Sequence, residues 1–215
     1  MTPGRAVWKG GGVTRSANTS AGRPRDPDVD RRVAEAAIGL FGAEGWAGFS
    51  VEAVAKRAGV GKASIYLRWP TKQALLLEAL QQHIGGVTSI EAGNVRDELV
   101  QLARQLFVQY LGDAGRAAFR IALEADRIPG VAGHWASIRQ SQVLAARAIV
   151  RRAIERGELP AGTPVTLLLD TLSGAVMNHV QTTPVEARDE LARSVGSYSR
   201  RLVDFLLANA TASAT

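Results

Sequence analysis

The stretch VEAVAKRAGVGKASIYLRW, residues 51–69, combines a short amphipathic segment, a break with two glycines and a second segment of helical character. Two helices joined by a tight turn that contains glycine form a helix-turn-helix motif. Gly59 can adopt the positive φ that such a turn demands, and Val60 can pack in the angle between the helices. The stretch therefore predicts a helix-turn-helix, with Ser50 as the N-cap of its first helix.

The second helix of this motif has side chains that suit DNA. If Ile65 packs against the first helix, six side chains remain on or near the other faces: Lys62, Ala63, Ser64, Tyr66, Leu67 and Arg68. Lys and Arg neutralise phosphate, hydroxyl groups hydrogen-bond phosphate oxygens, and Ala or Leu can contact a thymine methyl group. We therefore predict double-stranded DNA as the partner. A helical corner used for packing alone is the alternative.

The span from about Arg31 to Leu80 resembles the N-terminal DNA-binding domain of the TetR family of bacterial transcriptional regulators, and at its centre stands FGAEGWAGFSVEAVAKRAGVGKASIYLRWPTKQALL, residues 41–76. The resemblance rests on the aromatic-glycine stretch at 41–45, the helix that opens at Ser50, the turn at 55–60, and the motifs Ile65-Tyr66, Trp69 and Thr71-Lys72. It implies phosphate contacts from four residues, namely Ser50, Ser64, Tyr66 and Lys72. It also implies contacts nearer to the base edges from three residues, namely Lys62, Ala63 and Arg68. Gly61 departs from the family pattern, in which a hydroxyl N-cap is common, and Arg68-Trp69 replaces a more usual pair of aromatic or His residues.

The basic charge is concentrated in the first part of the chain. The formal net charge of the 215 residues is +6. Residues 1–82 contain twelve Lys and Arg against seven Asp and Glu, whereas residues 83–215 contain fourteen against thirteen. This asymmetry predicts a polyanionic partner for the N-terminal part and a different task for the C-terminal part.

Several classes of protein are excluded or disfavoured. The chain has no cysteine, which excludes disulfides and thiolate metal sites. It shows no secretory signal and no apolar run of about 18 residues, so we expect a soluble, cytoplasmic protein without a membrane partner. The segment GVGKAS lacks the upstream glycine and the following hydroxyl of a phosphate-binding loop, and the three histidines lack metal-ligand spacing. We therefore predict no enzymatic activity, no cofactor and no metal.

Helical periodicity runs through the chain without a convincing strand. The predicted fold is all-α, with a helix-turn-helix DNA-binding domain at 28–84 and a helical ligand-binding and dimerisation domain at 85–210. The first helix is expected to begin at Asp28 and to end at Gly42 or Gly45, the third to run to about Trp69, and Thr71 to cap the fourth. Further helices are predicted at about 94–111, 113–126, 131–157, 164–181 and 185–209, followed by a tail at 211–215.

Residues 1–27 are rich in Gly, Ser, Thr and Pro and are predicted to form a flexible basic tail. Arg23 and Arg25 are the candidate DNA contacts in this segment. The tail is interpreted either as a solvated leader or as an arm that adds phosphate or minor-groove contacts.

The last two helices carry a candidate dimer interface. Leu191, Val195, Tyr198, Leu202 and Phe205 recur at intervals that alternate between four and three residues, which predicts a seam of the coiled-coil type. Leu168 and Leu172 of the preceding helix complete the set. The TetR resemblance implies a homodimer through these helices, and a bundle of four helices from two chains would satisfy it. Packing within one monomer is the alternative.

The resemblance also implies a small-molecule effector, of unknown identity, inside the C-terminal domain. Eight residues that combine apolar bulk with a few polar groups are the candidates for its pocket: Phe107, Tyr110, Phe119, His134, Trp135, Met177, Asn178 and His179. A plain helical core would use the same residue types, so an ordinary core role is the alternative for each of them.

Together these patterns predict a homodimeric, sequence-specific transcriptional regulator. The resemblance favours a repressor that a small molecule releases from a palindromic operator. An architectural DNA-binding protein that needs no effector is the alternative. That alternative predicts basic charge along the whole chain, whereas the C-terminal part is nearly neutral.

Overall fold

The computed structural model describes residues 27–84 and 90–212, and in these ranges all regular structure is helical. The nine α-helices of the described part are α1 (Pro27–Gly48), α2 (Val51–Ala58), α3 (Lys62–Tyr66), α4 (Lys72–His83), α5 (Val95–Tyr110), α6 (Gly112–Glu124), α7 (Ala132–Glu155), α8 (Val165–Thr182) and α9 (Arg188–Ala212). Single 3-10 turns occupy Ala125–Arg127 and Val185–Ala187. The predicted all-α class is confirmed. No helix within the described ranges is both long enough and apolar enough to cross a membrane.

The first helix is predicted to end at Gly42 or Gly45, but it continues through Gly42. Gly42 lies inside α1, where a Cβ atom would come within 3.1 Å of the backbone nitrogen of Ala117 in α6. Glycine is therefore needed at position 42 for close packing of two helices. The helical geometry is interrupted at the other predicted end, Gly45, which has φ 67° and ψ −172°. Regular hydrogen bonding resumes beyond it as far as Gly48.

The third helix is shorter than predicted and ends at Tyr66 instead of Trp69. The backbone N–H groups of Arg68 and Trp69 both donate to the carbonyl oxygen of Ile65, at 2.9 and 2.8 Å. This tight turn brings the Trp69 side chain into the core, where its Nε1–H donates to Glu78 Oε2 at 2.7 Å. Thr71 caps α4 as predicted, because its hydroxyl oxygen accepts the N–H of Ala74 at 3.1 Å.

One hydrophobic cluster joins the helix-turn-helix to the rest of the chain. It fills the space between α1, α2, α3 and α4 with residues such as Phe41, Val54 and Ile65, all fully buried. The same cluster continues through α6 with Ile121 and reaches Trp135 at the start of α7. The core beneath the helix-turn-helix therefore extends past the predicted domain boundary at residue 84, and α6 belongs to it.

A second cluster forms the body of the C-terminal half from α5, most of α7, α8 and α9. Its fully buried members include Leu99, Phe107, Val150 and Val203. The last helix runs to Ala212, so two residues predicted to lie in the C-terminal tail are helical. Because α5 belongs to this cluster and α6 to the other, the short α5–α6 connection links the two cores.

Candidate nucleic-acid interface and a cavity of the C-terminal half

The turn between α2 and α3 has the predicted geometry. The Ser50 hydroxyl oxygen accepts the N–H of Ala53 at 3.2 Å and so caps α2. Gly59 adopts the left-handed conformation, with φ 67° and ψ 38°, and the N–H of Val60 donates to the carbonyl oxygen of Ala55 at 3.0 Å. From α1, the Arg32 guanidinium donates to the carbonyl oxygen of Ala58, where a cation is favoured at the end of a helix. These contacts fix the direction in which α3 leaves the turn.

The short helix α3 buries one side chain and exposes most of the others. Ile65 is fully buried between the helices. The exposed side chains are those of Lys62, Ala63, Tyr66 and Leu67, and Ser64 is half-buried. Of the predicted DNA-contacting residues, Lys62, Ala63 and Tyr66 therefore lie on the outward face of α3, and Ser64 lies at its edge.

Lys62 lies at the start of α3, where its Nζ atom is 3.0 Å from Glu52 Oε1 of α2. The hydrogen bond from Lys62 holds the pKa of the Glu52 carboxyl below its usual value. Both side chains are more than half exposed, so the pair is readily exchanged for other partners. Lys62 is therefore accessible to a phosphate or a base edge.

Lys72 lies at the start of α4, beside the end of α1. Its Nζ atom is 3.8 Å from the centroid of the Trp46 ring and donates to the carbonyl oxygen of Phe49 at 3.3 Å. The Trp46 ring in turn stacks on Phe49, with centroids 5.9 Å apart. An ammonium group has three donors, so Lys72 keeps donors for a phosphate while it packs on the aromatic pair. Its cation lies beside the residue that precedes Ser50.

Arg68 is held by the protein itself. Its Nη1 atom donates to the carbonyl oxygen of Ser64 at 2.9 Å, and its Nε atom lies 2.5 Å from Asp30 Oδ1 of α1. The second contact is a close charge pair, because the N–H bond does not point at that oxygen. The Arg68 side chain is only 20% exposed. This arrangement gives no support to the predicted contact of Arg68 with base edges. Arg23 and Arg25 lie outside the described residues.

A cavity of about 250 Å³ lies between α5, α7 and α8. Its wall combines apolar side chains with polar ones, and the lining residues are Leu102, Leu106, Tyr110, Arg139, Gln142, Val143, Ala146, Arg147, Thr166, Leu169, Asp170, Leu172 and Ser173. Burial raises the pKa of the Tyr110 phenol, and the positive charge of Arg139 opposes this rise. The mixed lining is suited to a small molecule with apolar and polar parts.

Of the eight residues predicted to bind a ligand, Tyr110 alone lines this cavity. Phe107 and His179 belong to an aromatic cluster with Tyr198, in which the rings of His179 and Tyr198 stack at 4.1 Å. Phe119 stacks on Tyr110 from α6. The other four predicted residues lie elsewhere: Trp135 is in the first core cluster, His134 is half-buried beside it in the sequence, and Met177 and Asn178 are exposed on α8.

The sequence interpretation missed the middle of α7 as a cavity wall. Five of the lining residues come from this helix, at the i, i+3, i+4, i+7 and i+8 spacing of one helical face: Arg139, Gln142, Val143, Ala146 and Arg147. In the sequence, this wall is indicated by a helical face that combines a small residue, Ala146, with two cations, Arg139 and Arg147. This stretch has no aromatic side chain, the feature on which most of the predicted pocket residues are based.

The predicted dimer seam is mostly interior. Leu168, Leu172 and Leu191 are at most 5% exposed, so they offer almost no surface to a second chain. They fill the core of their own chain. Val195, Tyr198 and Leu202 are partly buried and pack against the same core. Of the predicted seam residues, Phe205 is exposed, at 66%. On α8, the exposed large apolar side chains are those of Leu167, 64% exposed, and Met177, 38% exposed.

The fold and the exposed basic helix-turn-helix define this chain as a DNA-binding transcriptional regulator. The family model described as bacterial regulatory proteins of the tetR family matches residues 33–79. The model described as tetracyclin repressor-like C-terminal domain matches residues 90–197. The chain belongs to the TetR family, whose members are regulators and not enzymes. This result also disfavours the alternative of an architectural DNA-binding protein.

Known relatives agree with this assignment. An uncharacterized HTH-type transcriptional regulator of Mycobacterium tuberculosis is 29% identical over 76% of this chain and 82% of its own length. A TetR-family regulator structure from Mesorhizobium loti has a TM-score of 0.60 at 21% identity, covering 86% of this chain and 98% of the other. The regulator FadR from Bacillus subtilis, solved in complex with stearoyl-CoA, has a TM-score of 0.61 at 17% identity, covering 82% and 97%. The two structures share the fold of this chain.

Proposed function

We propose that this chain is a homodimeric repressor that leaves a palindromic operator when a small molecule occupies the cavity between α5, α7 and α8. The proposal places the outward face of α3 in the major groove, with Ser50, Ser64, Tyr66 and Lys72 on phosphates. Two copies of α3 must then lie about one DNA turn, ~34 Å, apart for both to enter successive major grooves.

One contact carries the effector part of this proposal. The ring of Tyr110, a wall residue of the cavity, stacks on Phe119 of α6 with centroids 5.2 Å apart and planes 19° apart. The next residue, Arg120, donates from Nε to the carbonyl oxygen of Gly42 and from Nη2 to that of Ala43, at 3.1 and 2.9 Å. The cavity is therefore connected through α6 to α1, the helix that supports the helix-turn-helix.

This connection gives an effector a way to act at a distance. A ligand that shifts Tyr110 would also displace Phe119, and α6 would transfer that displacement to α1. The ligand stabilises the conformation of the protein that binds it best, with its own spacing of the two α3 helices. The protein leaves the DNA if that spacing does not match the operator. The regulator FadR of B. subtilis was solved with stearoyl-CoA, so long-chain acyl-CoA is the first class of compound to test here.

The repressor proposal is tested in two steps. Fragments that the protein retains from a random DNA pool should share two inverted half-sites with a fixed spacing. Stearoyl-CoA and a set of smaller amphipathic acids are then added to the protein on the selected operator, and release is followed by fluorescence anisotropy. A pool without a common half-site would contradict sequence-specific regulation.

The route through α6 is tested with a substitution that spares both sites. Phe119→Ala should leave operator binding near the wild-type level while it weakens release by any compound that acts on the wild type. Leu123→Ala, on the same helix at a side chain that is 81% exposed, is the matched control and should keep the wild-type response. Unchanged release in Phe119→Ala would exclude the stacked pair from the response.

A further inference from the structure

Two apolar side chains lie one turn apart on the exposed side of the second helix of the motif, Ala63 within α3 and Leu67 at its C-cap. Leu67 is 84% exposed, and Ala63 is exposed as well. The N–H of Leu67 donates to the carbonyl oxygen of Ala63 at 3.1 Å, so the two side chains lie one above the other on the same face. We call Ala63 and Leu67 the apolar strip.

The core of the DNA-binding domain makes no use of the apolar strip. Ile65 is the α3 residue that enters the core, and it is fully buried. A leucine that is 84% exposed stabilises its own fold very little, whereas covering it in a complex removes apolar surface from water. The strip is therefore available to a partner.

The surroundings of the strip indicate that this partner is DNA. Lys62 precedes Ala63 with its side chain 57% exposed, and Tyr66 precedes Leu67 and is 49% exposed. Glu52 of α2 lies 3.0 Å from Lys62 in an exposed pair that water or a phosphate can replace. An apolar strip flanked by a cation and a phenol complements the DNA major groove, which has phosphates along its edges and base methyl groups at its floor. In the major groove, thymine presents such a methyl group at C5.

The arginine of this segment cannot take the same place in its observed conformation. Its contacts with Ser64 and Asp30 direct Arg68 toward α1, and its side chain is 20% exposed. Bidentate recognition of guanine, the commonest specific contact of an arginine, would require it to leave both partners. Recognition of base edges by this segment therefore depends on apolar contacts from Ala63 and Leu67.

We propose that the apolar strip reads the 5-methyl groups of thymine in each half-site, with Leu67 as the main specificity-determining residue. This inference rests on the proposed docking of α3 in the major groove. It has one direct consequence: replacing thymine with deoxyuridine, which removes a single methyl group and keeps every hydrogen-bonding group, should lower affinity at the positions that face Leu67.

The test uses the full chain and the operator selected from the random pool. Each thymine of one half-site is replaced singly with deoxyuridine, and the Kd is measured at one fixed salt concentration. For the wild type we expect a loss of about fourfold at one or two positions, the effect of one buried methyl group. In Leu67→Ala the thymine and deoxyuridine probes should differ by less than about twofold at the same positions, so that the two changes are non-additive.

The control is Leu123→Ala, which removes a similarly exposed leucine from α6 and should keep the wild-type preference for thymine. Thermal unfolding of Leu67→Ala should match that of the wild type, since the side chain makes little core contact. The inference is overturned if the wild type tolerates every replacement within about twofold, or if Leu67→Ala keeps the preference. Failure of the wild type to select any DNA would overturn the proposed function and this inference together, and so is distinguishable from failure of the inference alone.

Discussion

The Glu124 carboxylate accepts a hydrogen bond from the backbone N–H of Trp46 at 2.8 Å. Glu124 ends α6, and Trp46 follows the break in α1 at Gly45, where the normal helical partner of its N–H is lost. Arg120, one turn earlier in α6, donates to two carbonyl oxygens on the other side of the same break. Glu124 and Arg120 of α6 therefore provide hydrogen-bonding partners for one N–H donor and two carbonyl acceptors at this break.

We expect Glu124→Ala to destabilise the helix-turn-helix half of the chain. The N–H of Trp46 would lose a charged acceptor, which costs about 1–3 kcal/mol in a partly buried site. Native-state hydrogen exchange should show faster exchange at the Trp46 amide, and chemical unfolding should show the lost stability. Glu155→Ala, at an exposed site on α7, is the control. Equal exchange at Trp46 in both variants would contradict the role of this hydrogen bond.

Lys72→Ala tests two roles of Lys72, a phosphate contact in the DNA complex and a packing contact with Trp46. If Lys72 neutralises a phosphate, the slope of log K against log salt should flatten by roughly 0.9. Loss of the contact with Trp46 should cost no more than about 1 kcal/mol of stability, because the site is partly exposed. Tyr66→Phe is the companion variant: it should weaken binding by loss of a hydroxyl contact while leaving the salt slope unchanged. An unchanged slope in Lys72→Ala would leave Lys72 with its packing role alone.

Arg68→Ala should lower affinity for all half-sites by a similar factor and leave their ranking unchanged. Removal of Arg68 leaves the Asp30 carboxylate, 31% exposed, without its cation, and we expect a loss of about 1–2 kcal/mol in stability. Asp30→Asn should give a similar loss of stability, because it leaves the Arg68 cation without its carboxylate. The measurement is the affinity of wild type and Arg68→Ala for a library of half-sites. A changed order of affinities would show that Arg68 contacts base edges.

The sequence was sufficient for the helix-turn-helix because local signals determine it. The caps at Ser50 and Thr71 and the left-handed Gly59 each depend on residues within three or four positions. The partner of Arg68 could not be predicted in this way, since Asp30 is distant in sequence and meets it only after α1 packs against α2 and α4. The seam on α9 shows the same limit. A heptad-like pattern identifies the face that is buried, but it does not distinguish the chain's own core from a second chain.

The acid stability of the C-terminal half should depend on Glu158. Its carboxylate accepts hydrogen bonds from Arg156 and from the backbone N–H of Val95 at the start of α5, and these bonds hold its pKa below the ordinary value of 4.5. A lowered folded-state pKa means that the stabilisation is fully present above pH 4.5 and is lost as the pH falls through the folded-state value. Glu158→Gln should therefore lower Tm at pH 7, and the difference from the wild type should shrink as the pH falls below 4.5. A difference in Tm that stays constant with pH would show that charge at Glu158 is not the cause.

If the proposed homodimer pairs through the outer surface of α8 and α9, Phe205→Asp should convert it toward a monomer. Phe205 and Leu167 are large apolar side chains on neighbouring helices, 66% and 64% exposed, and α8 and α9 are joined by a short connection. A charge buried between two copies of this surface is costly, whereas in the monomer it would remain in water. The monomer should keep its helical content and its thermal transition, since Phe205 is not part of the core. Binding to the palindromic operator should fall steeply, and weak binding to a single half-site should remain.

Two further variants make this test specific to the α8–α9 surface. Leu123→Asp places the same charge on an exposed leucine of α6 and should leave the dimer intact. Leu168→Asp places it on a side chain that is 5% exposed and should unfold the C-terminal half instead of separating folded chains. Analytical ultracentrifugation distinguishes these outcomes, because it reports the mass of the folded species. A folded Phe205→Asp protein that still sediments as a dimer would place the interface on another surface of the chain.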